Sequence, residues 1–306
     1  MPVAVLILSM VKPESLHIAS AGTVNPADAL SPSAHESAIP SPTPALYLIP
    51  VGMSDAPLGD VLPEGNLNIV RGIRHFIVEN VRNARRFLKR SDPAIDISAL
   101  TFHELNRHTD TSQVNIFLEP LRHGEPVGLM SDAGSPAVAD PGAIAVAAAQ
   151  REGFRVKPLV GPSSILMALM ASGFNGQGFA FHGYLPIDEG ERAATLRRLE
   201  AESRRHDMTQ IFIETPYRND RMLRFLADTL SPQTMLCVAC DITAPQSESI
   251  CSMPAARWRA LLDRKAPDFD KRPAIFLIYA GSGESVHQSK EKHPHSPRKG
   301  DGRRRR

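Results

Sequence analysis

The sequence predicts an α/β fold in which parallel strands alternate with crossover helices, and three observations carry that prediction. Apolar runs of strand length recur along the chain, most are followed by turns of Gly, Pro, Ser and Asp, and helix-like segments separate them. At 306 residues the chain accommodates two domains of ordinary size. A hydrophobic content of 42% suits a soluble globular protein rather than a membrane or disordered one.

Residues 1–44 begin with a short apolar stretch, Val3 to Val11, without a basic segment before it. They continue rich in Pro, Ser and Ala and lack periodicity, so they are expected to be a disordered or non-native extension, with a weak secretion signal as the alternative. Order is expected from Ala45 to Pro50, a buried first strand, followed by a loop over Val51 to Pro63. His75 to Glu79 reads as a second strand, and Asn80 caps a helix running to about Lys89. A helix containing Ile116 to Leu121 ends at Gly124, and Val127 to Met130 is the next buried strand. The turn-rich Ser131 to Gly142 leads into an Ala-rich helix over Ala143 to Gln150, and Val156 to Val160 is a further strand.

The second half changes character. Phe179 to Leu185, Gln210 to Glu214, Met235 to Ala239 and Ala274 to Tyr279 read as strands, with helices over Glu191 to Arg205 and Asp220 to Leu230. Residues 45–160 and 161–282 are therefore expected to form two αβα domains, leaving 283–306 as a basic disordered tail. The formal net charge of +2 understates that tail, because Lys290 to Arg306 is dense in Lys and Arg and the body is mildly acidic without it. The tail offers nonspecific RNA affinity or simply solubility.

Three cysteines without framework spacing suggest a reducing compartment, and the cytoplasm is expected. Cys237 and Cys240 lie in an apolar strand-like run, so they are read as core residues, not a redox pair. The histidines show no metal-ligand spacing, His103 and His108 read as loop residues, and no segment is long and apolar enough to span a membrane. The absence of G-x-G-x-x-G and of G-x-x-x-x-G-K-[ST] argues against a dinucleotide Rossmann domain and a P-loop nucleotidase. Phe179, Phe181 and Tyr184 alternate as one face of a strand and are not read as part of a cofactor site.

The strongest local signal is Ser131-Asp132-Ala133-Gly134-Ser135-Pro136-Ala137-Val138-Ala139-Asp140-Pro141-Gly142. It lies between a buried strand and an Ala-rich helix, where small residues let a ligand lie against the backbone and carboxylates accept hydrogen bonds. An ordinary βα turn with Asp caps would look similar. Gly161-Pro162-Ser163-Ser164 repeats the pattern at the next strand end, and a plain helix N-cap is its alternative.

Taken in order, Leu48-Ile49-Pro50-Val51-Gly52, Ser131 to Gly142, Pro158 to Ser164, Phe181 to Pro186 and Phe212 to Arg218 resemble the tetrapyrrole methylase superfamily, and within it the ribosomal RNA small-subunit methyltransferase I family. The resemblance runs from about Leu46 to Gly281. It implies two αβα domains, a homodimer, S-adenosylmethionine in the interdomain cleft, and 2′-O-methylation of a cytidine in ribosomal RNA of the small subunit. Carried over residue by residue, it implies cofactor contacts at Pro50, Asp132, Ser135, Ser164, Ile165 and Ile213, with no metal. This chain departs from the family at Pro50 to Asp55 in place of P-x-G-N-L, at Glu79-Asn80-Val81-Arg82 in place of E-D-T-R, and at Phe102 to Asn106 in place of H-x-H-N.

A ribose hydroxyl is a poor nucleophile, and a base would accelerate its methylation by roughly 10²–10⁴-fold. Glu79, Glu214 and His103 are the candidates. Glu79 could instead pair with Arg82 or Arg85, and Glu214 could be a cofactor or domain-interface residue. Arg82 and Arg218 could grip a substrate phosphate or be ordinary surface arginines. A tetrapyrrole or protein acceptor, or a non-catalytic cofactor-binding role, is the alternative function.

Overall fold

A computed structural model of the chain describes residues 42–264 and 268–281. Residues 1–41 of the expected extension (1–44), and all of the expected tail (283–306), lie outside those residues. The first sheet contains β1 (Leu46–Leu48), β2 (His75–Val78), β3 (Thr101–Glu104), β4 (Val127–Met130) and β5 (Val156–Pro158) in the order β3-β2-β4-β1-β5. Every pairing in it is parallel. The helices between them are α1 (Leu58–Val61), α2 (Glu64–Arg71), α3 (Val81–Ser91), α4 (Val114–Phe117), α5 (Glu119–Arg122) and α6 (Ala143–Arg151).

The two-residue period of each strand divides the core into two faces. Tyr47, Ile49, Phe76 and Val78 pack with Val70 of α2 and Ala84, Phe87 and Leu88 of α3. Leu46, Ile77, Val127 and Leu129 face the other way, onto α4, α5 and the alanines of α6. The result is an αβα layer arrangement. Gly128 allows the layers to close at its centre: a Cβ there would sit 2.7 Å from Ile49 Cδ1 and 2.8 Å from Phe76 Cδ1.

The second sheet has the order β6-β7-β10-β8-β9, from β6 (Phe179–Tyr184), β7 (Thr209–Ile213), β8 (Met235–Cys240), β9 (Ser249–Pro254) and β10 (Ala274–Tyr279). Only β6 and β7 pair in parallel; the remaining pairs are antiparallel. α7 (Ser164–Ser172) covers one face, against Ile211, Cys237, Ala239, Ile275 and Leu277. α8 (Glu189–His206), α9 (Asn219–Thr229) and α10 (Ala255–Arg264) cover the other, where Trp258 is buried and its Nε1 donates to the Leu236 carbonyl at 2.8 Å.

Several elements differ from the sequence expectation. The segment read as a loop over Val51 to Pro63 contains α1, and α2 follows it at once. The helix expected across Ile116 to Leu121 is two single turns, because Pro120 has no N–H to donate to the Ile116 carbonyl one turn back. β9 and α10 escaped the reading: Ser-Ile-Cys-Ser-Met-Pro has weak alternation and ends in proline. His103 is not a loop residue but lies on β3, paired in register with Ile77. Cys237 and Cys240 are core residues on opposite faces of β8, and burial pushes both thiols up to about 11. Among the described residues no helix is long and apolar enough to cross a membrane.

Candidate functional site

The carboxyl ends of β1, β2 and β4 release their loops toward the second sheet, and the cleft there encloses about 360 Å³. Hydrogen bonds from backbone N–H groups and serine hydroxyls hold its walls. Val51 and Gly134 exchange both N–H···O bonds at 2.9 Å, which pins the long turn after β4 against the exit of β1. Ser135 Oγ donates to the Pro162 carbonyl at 3.1 Å, joining that turn to the segment before α7. Ser54 Oγ donates to the Thr243 carbonyl at 2.9 Å and ties the β1 loop to the end of β8.

The turn itself is strained. Ala137 and Ala139 both lie in the left-handed region, at φ 66° and 59°, which costs a β-carbon-bearing residue about 1–2 kcal/mol each. Asp140 offsets that cost, since its carboxylate accepts from the Ala137 N–H at 2.8 Å and the Gly142 N–H at 2.6 Å. Burial nevertheless raises the Asp140 pKa above the usual carboxylate range.

Glu79 stands at the end of β2 and lines the cleft. Its Oε2 accepts from the Asp132 N–H at 3.2 Å. Burial raises its pKa, and the neighbouring negative charges of Asp132 and Asp140 push in the same direction. The ion pair considered with Arg82 or Arg85 does not form: no salt bridge to Glu79 occurs among the described residues, and Arg85 lies over the Phe102 ring at 5.3 Å.

Glu214, buried at the end of β7, also lines the cleft. Its Oε1 accepts from the Thr215 N–H at 2.7 Å, and its Oε2 lies 3.4 Å from Arg218 Nη2. That pairing places Arg218 in an adjoining groove rather than in the cleft lining. His103 is also outside the lining: its ring stacks on Phe117 at 4.8 Å, and burial, helped by His75, lowers its pKa.

Of the six cofactor positions, Ser135, Ser164, Ile165 and Ile213 line the cleft. Pro50 and Asp132 stand behind it. Pro50 packs so closely against Gly161 that a Cβ there would meet the proline ring at 2.2 Å. Asp132 lines a neighbouring hollow and reaches the site through its N–H bond to Glu79. Arg82 is exposed on α3 and absent from the lining.

The structure also brings in residues that the sequence reading missed or set aside. Phe181 and Tyr184 both line the cleft, contrary to the reading of a simple strand face. The reason is a register shift between them, where Gly183 takes φ 64° and re-aims Tyr184. An isolated glycine within a strand pattern was the available signal. Asp241, at the end of β8 with φ 50°, lines the cleft and pairs with Arg272 at 2.8 Å. Nothing local marked it.

Among the described residues the lining holds four carboxylates, Glu79, Asp140, Glu214 and Asp241, and no Lys, Arg or His. Two of the four are compensated from outside by arginine; Glu79 and Asp140 have no cationic partner among the described residues. Such a site favours a cation over a phosphorylated nucleotide. Its apolar walls, Ile165, Phe181, Ile213, Ala239 and Ile275, suit a flat base, and its volume lies in the range of small-molecule sites. S-adenosylmethionine, with a sulfonium, an ammonium and an adenine, fits these residues.

No family model matches the chain. It is 31% identical over 251 residues to the ribosomal RNA small subunit methyltransferase I of Vibrio cholerae, covering 80% of this chain and 81% of that one. It is 33% identical over 226 residues to the protein of that name from Mesorhizobium japonicum, covering 73% and 70%. Among solved structures it resembles the methyltransferase CobJ, with a TM-score of 0.51 at 18% identity over 77% of this chain and 93% of that one, a likeness of fold. With an acidic cleft at the strand ends and a relative 31% identical over four-fifths of its length, the chain belongs to the ribosomal RNA small subunit methyltransferase I family and is an S-adenosylmethionine-dependent methyltransferase.

Proposed function

We propose that this chain methylates a ribose 2′-hydroxyl of small-subunit ribosomal RNA. The observation that carries the proposal is the position of Glu79: an unpaired carboxylate at the lip of a cation-free cleft, with its proton affinity raised by burial. The names of the relatives support the choice of RNA.

When bound, S-adenosylmethionine supplies an electrophilic methyl group on a positively charged sulfur. Ser164 and Ile165 at the start of α7, Ile213 at the end of β7, and Ser135 in the long turn hold it, while Pro50 and Asp132 support those walls from behind. Asp140 and Glu79 provide the negative field that a sulfonium and an ammonium require. The apolar walls exclude water, which would otherwise solvate and compete with the acceptor hydroxyl.

Glu79 is the base. Its Oε2 is occupied by the Asp132 N–H, which leaves Oε1 to accept the ribose proton. A carboxylate with a raised pKa is the stronger acceptor, provided it is ionised at the working pH. Glu214 is less suited to this task, because Thr215 and Arg218 already engage both its oxygens. His103 stacks on Phe117 and is not among the residues that line the cleft. A homodimer acting in the cytoplasm is part of the same proposal and rests on the family resemblance.

The test is transfer of tritiated methyl groups from S-adenosylmethionine to small ribosomal subunits of a deletion strain. Label is expected at a single ribose of the RNA. Binding of the cofactor without any incorporation into RNA would remove that substrate.

A further inference from the structure

Among the described residues the cleft lining contains no cation, yet an RNA chain that presents a ribose there brings a phosphate on either side. Those charges need partners just outside the cleft. α3 offers them. Its sequence, Val-Arg-Asn-Ala-Arg-Arg-Phe-Leu-Lys-Arg-Ser, has five cations and no carboxylate. Ala84, Phe87 and Leu88 face the core, so the cations form the outer face.

Three of the five are already engaged. Arg85 lies over Phe102, Lys89 Nζ donates to the Pro93 carbonyl at 2.9 Å, and Arg90 donates to the carbonyls of Ser54 and Ala56. Arg82 and Arg86, one helical turn apart, are exposed and make no hydrogen bond or ion pair with the described residues. The helix begins two residues after Glu79, so its basic face starts at the cleft lip. Arg86 also lines a hollow of about 280 Å³ beside the cleft, and the two concavities share Met53 and Ala133. Asp55 and Asp132 line the hollow as well, so it is an open, weakly basic contact and not a deep anion well.

We propose that Arg82 and Arg86 form a phosphate track along α3 that seats the RNA backbone next to the nucleotide being methylated. This proposal rests on the RNA reading above. The other arginine-rich groove, lined by Arg192, Arg197, Arg218, Arg221 and Arg224, is less suited because Glu189, Glu214, Asp220 and Asp228 interleave with its cations.

The experiment compares wild type, R82Q/R86Q, R82K/R86K and R197Q/R221Q. It measures binding to small subunits against salt, KM and kcat for RNA, and cofactor binding by calorimetry. Loss of two phosphate contacts should lower the slope of log K against log salt by about 1.4–1.8 and raise KM by roughly tenfold or more at moderate salt. In R82Q/R86Q, kcat at saturating RNA and cofactor affinity should hold, and R82K/R86K should restore most of the slope. An unchanged slope and KM in R82Q/R86Q would overturn the track alone, as would an equal loss in R197Q/R221Q. Loss of cofactor binding in R82Q/R86Q would show a structural role and also overturn it. Wild-type protein that binds no small-subunit RNA would overturn both the track and the RNA reading.

Discussion

Replacing Glu79 with Gln removes proton acceptance while keeping the side chain's length and its backbone hydrogen bond, and the accompanying loss of charge is read separately as cofactor affinity in calorimetry. The glutamine carbonyl can still accept the Asp132 N–H now bonded at 3.2 Å, and the side chain keeps its length, so the long turn after β4 stays in place. What disappears is the free carboxylate oxygen and its charge. General-base catalysis is worth about 10²–10⁴ in rate, so kcat should fall by that factor, which is about 3–5 kcal/mol in the barrier. The pH profile provides a second reading. The Glu79 pKa is raised in the folded protein, so the wild-type rate should climb as pH rises through a value above the usual carboxylate range and then level off. The glutamine variant should lack that limb. Stability moves the other way: a raised carboxyl favours folding below its unfolded pKa, and that advantage is lost as pH rises through the folded one. At neutral pH the ionised Glu79 therefore disfavours the fold, and E79Q should melt at a slightly higher temperature than wild type. Single-turnover methylation across pH, together with thermal unfolding, makes the comparison. An E79Q enzyme with near-wild-type kcat and an intact acidic limb would refute Glu79 as the base.

Gly128→Ala should destabilise the protein by about 1–3 kcal/mol in urea unfolding, because the new Cβ would lie 2.7–2.9 Å from buried Ile49 and Phe76 atoms that contact normally at about 3.5–4.0 Å. Asp140→Ala removes the acceptors of the Ala137 and Gly142 N–H groups, which bracket the left-handed Ala137 and Ala139, so it should weaken S-adenosylhomocysteine binding in calorimetry and cost about 1–3 kcal/mol of stability. Cys237 and Cys240 are buried, and their thiols are pushed up to about 11, so neither should react with a thiol reagent at pH 8 until the protein unfolds.

Much of this protein was legible because the signal was local. The buried run Val127 to Met130 has the length and composition of an internal parallel strand, and it is one. Asn80 read as a cap because a short polar side chain can satisfy a free N–H three residues on, and it accepts from the Asn83 N–H at 3.1 Å. The turn from Ser131 to Gly142 stood out because a ligand can approach only where side chains are small. Ser135, Ser164, Ile165, Ile213, Glu79 and Glu214 could be named together because the family resemblance supplied their order, and the fold does gather them in one cleft.

The remainder depended on distance in space. Asp241 enters the site only because antiparallel pairing of β8 with β10 brings its strand end to the cleft, and no neighbour in sequence announces it. Tyr184 reaches the cleft lining through a one-residue irregularity that hydrophobic alternation does not encode. His103 looked available beside Asn106, but on β3 it stacks on Phe117 of α4 and does not line the cleft. Arg82 and Arg86 differ from Arg85 and Arg90 only in what the fold sets opposite them. The sequence by itself determined most of the strands, though not β3 or β9, which turns are open to a ligand and which family the chain resembles, since these follow from backbone preference and side-chain size over a few residues. The tertiary structure decided which carboxylates stay unpaired and which cations stay free, because charge compensation acts between groups far apart in the chain and close together in space.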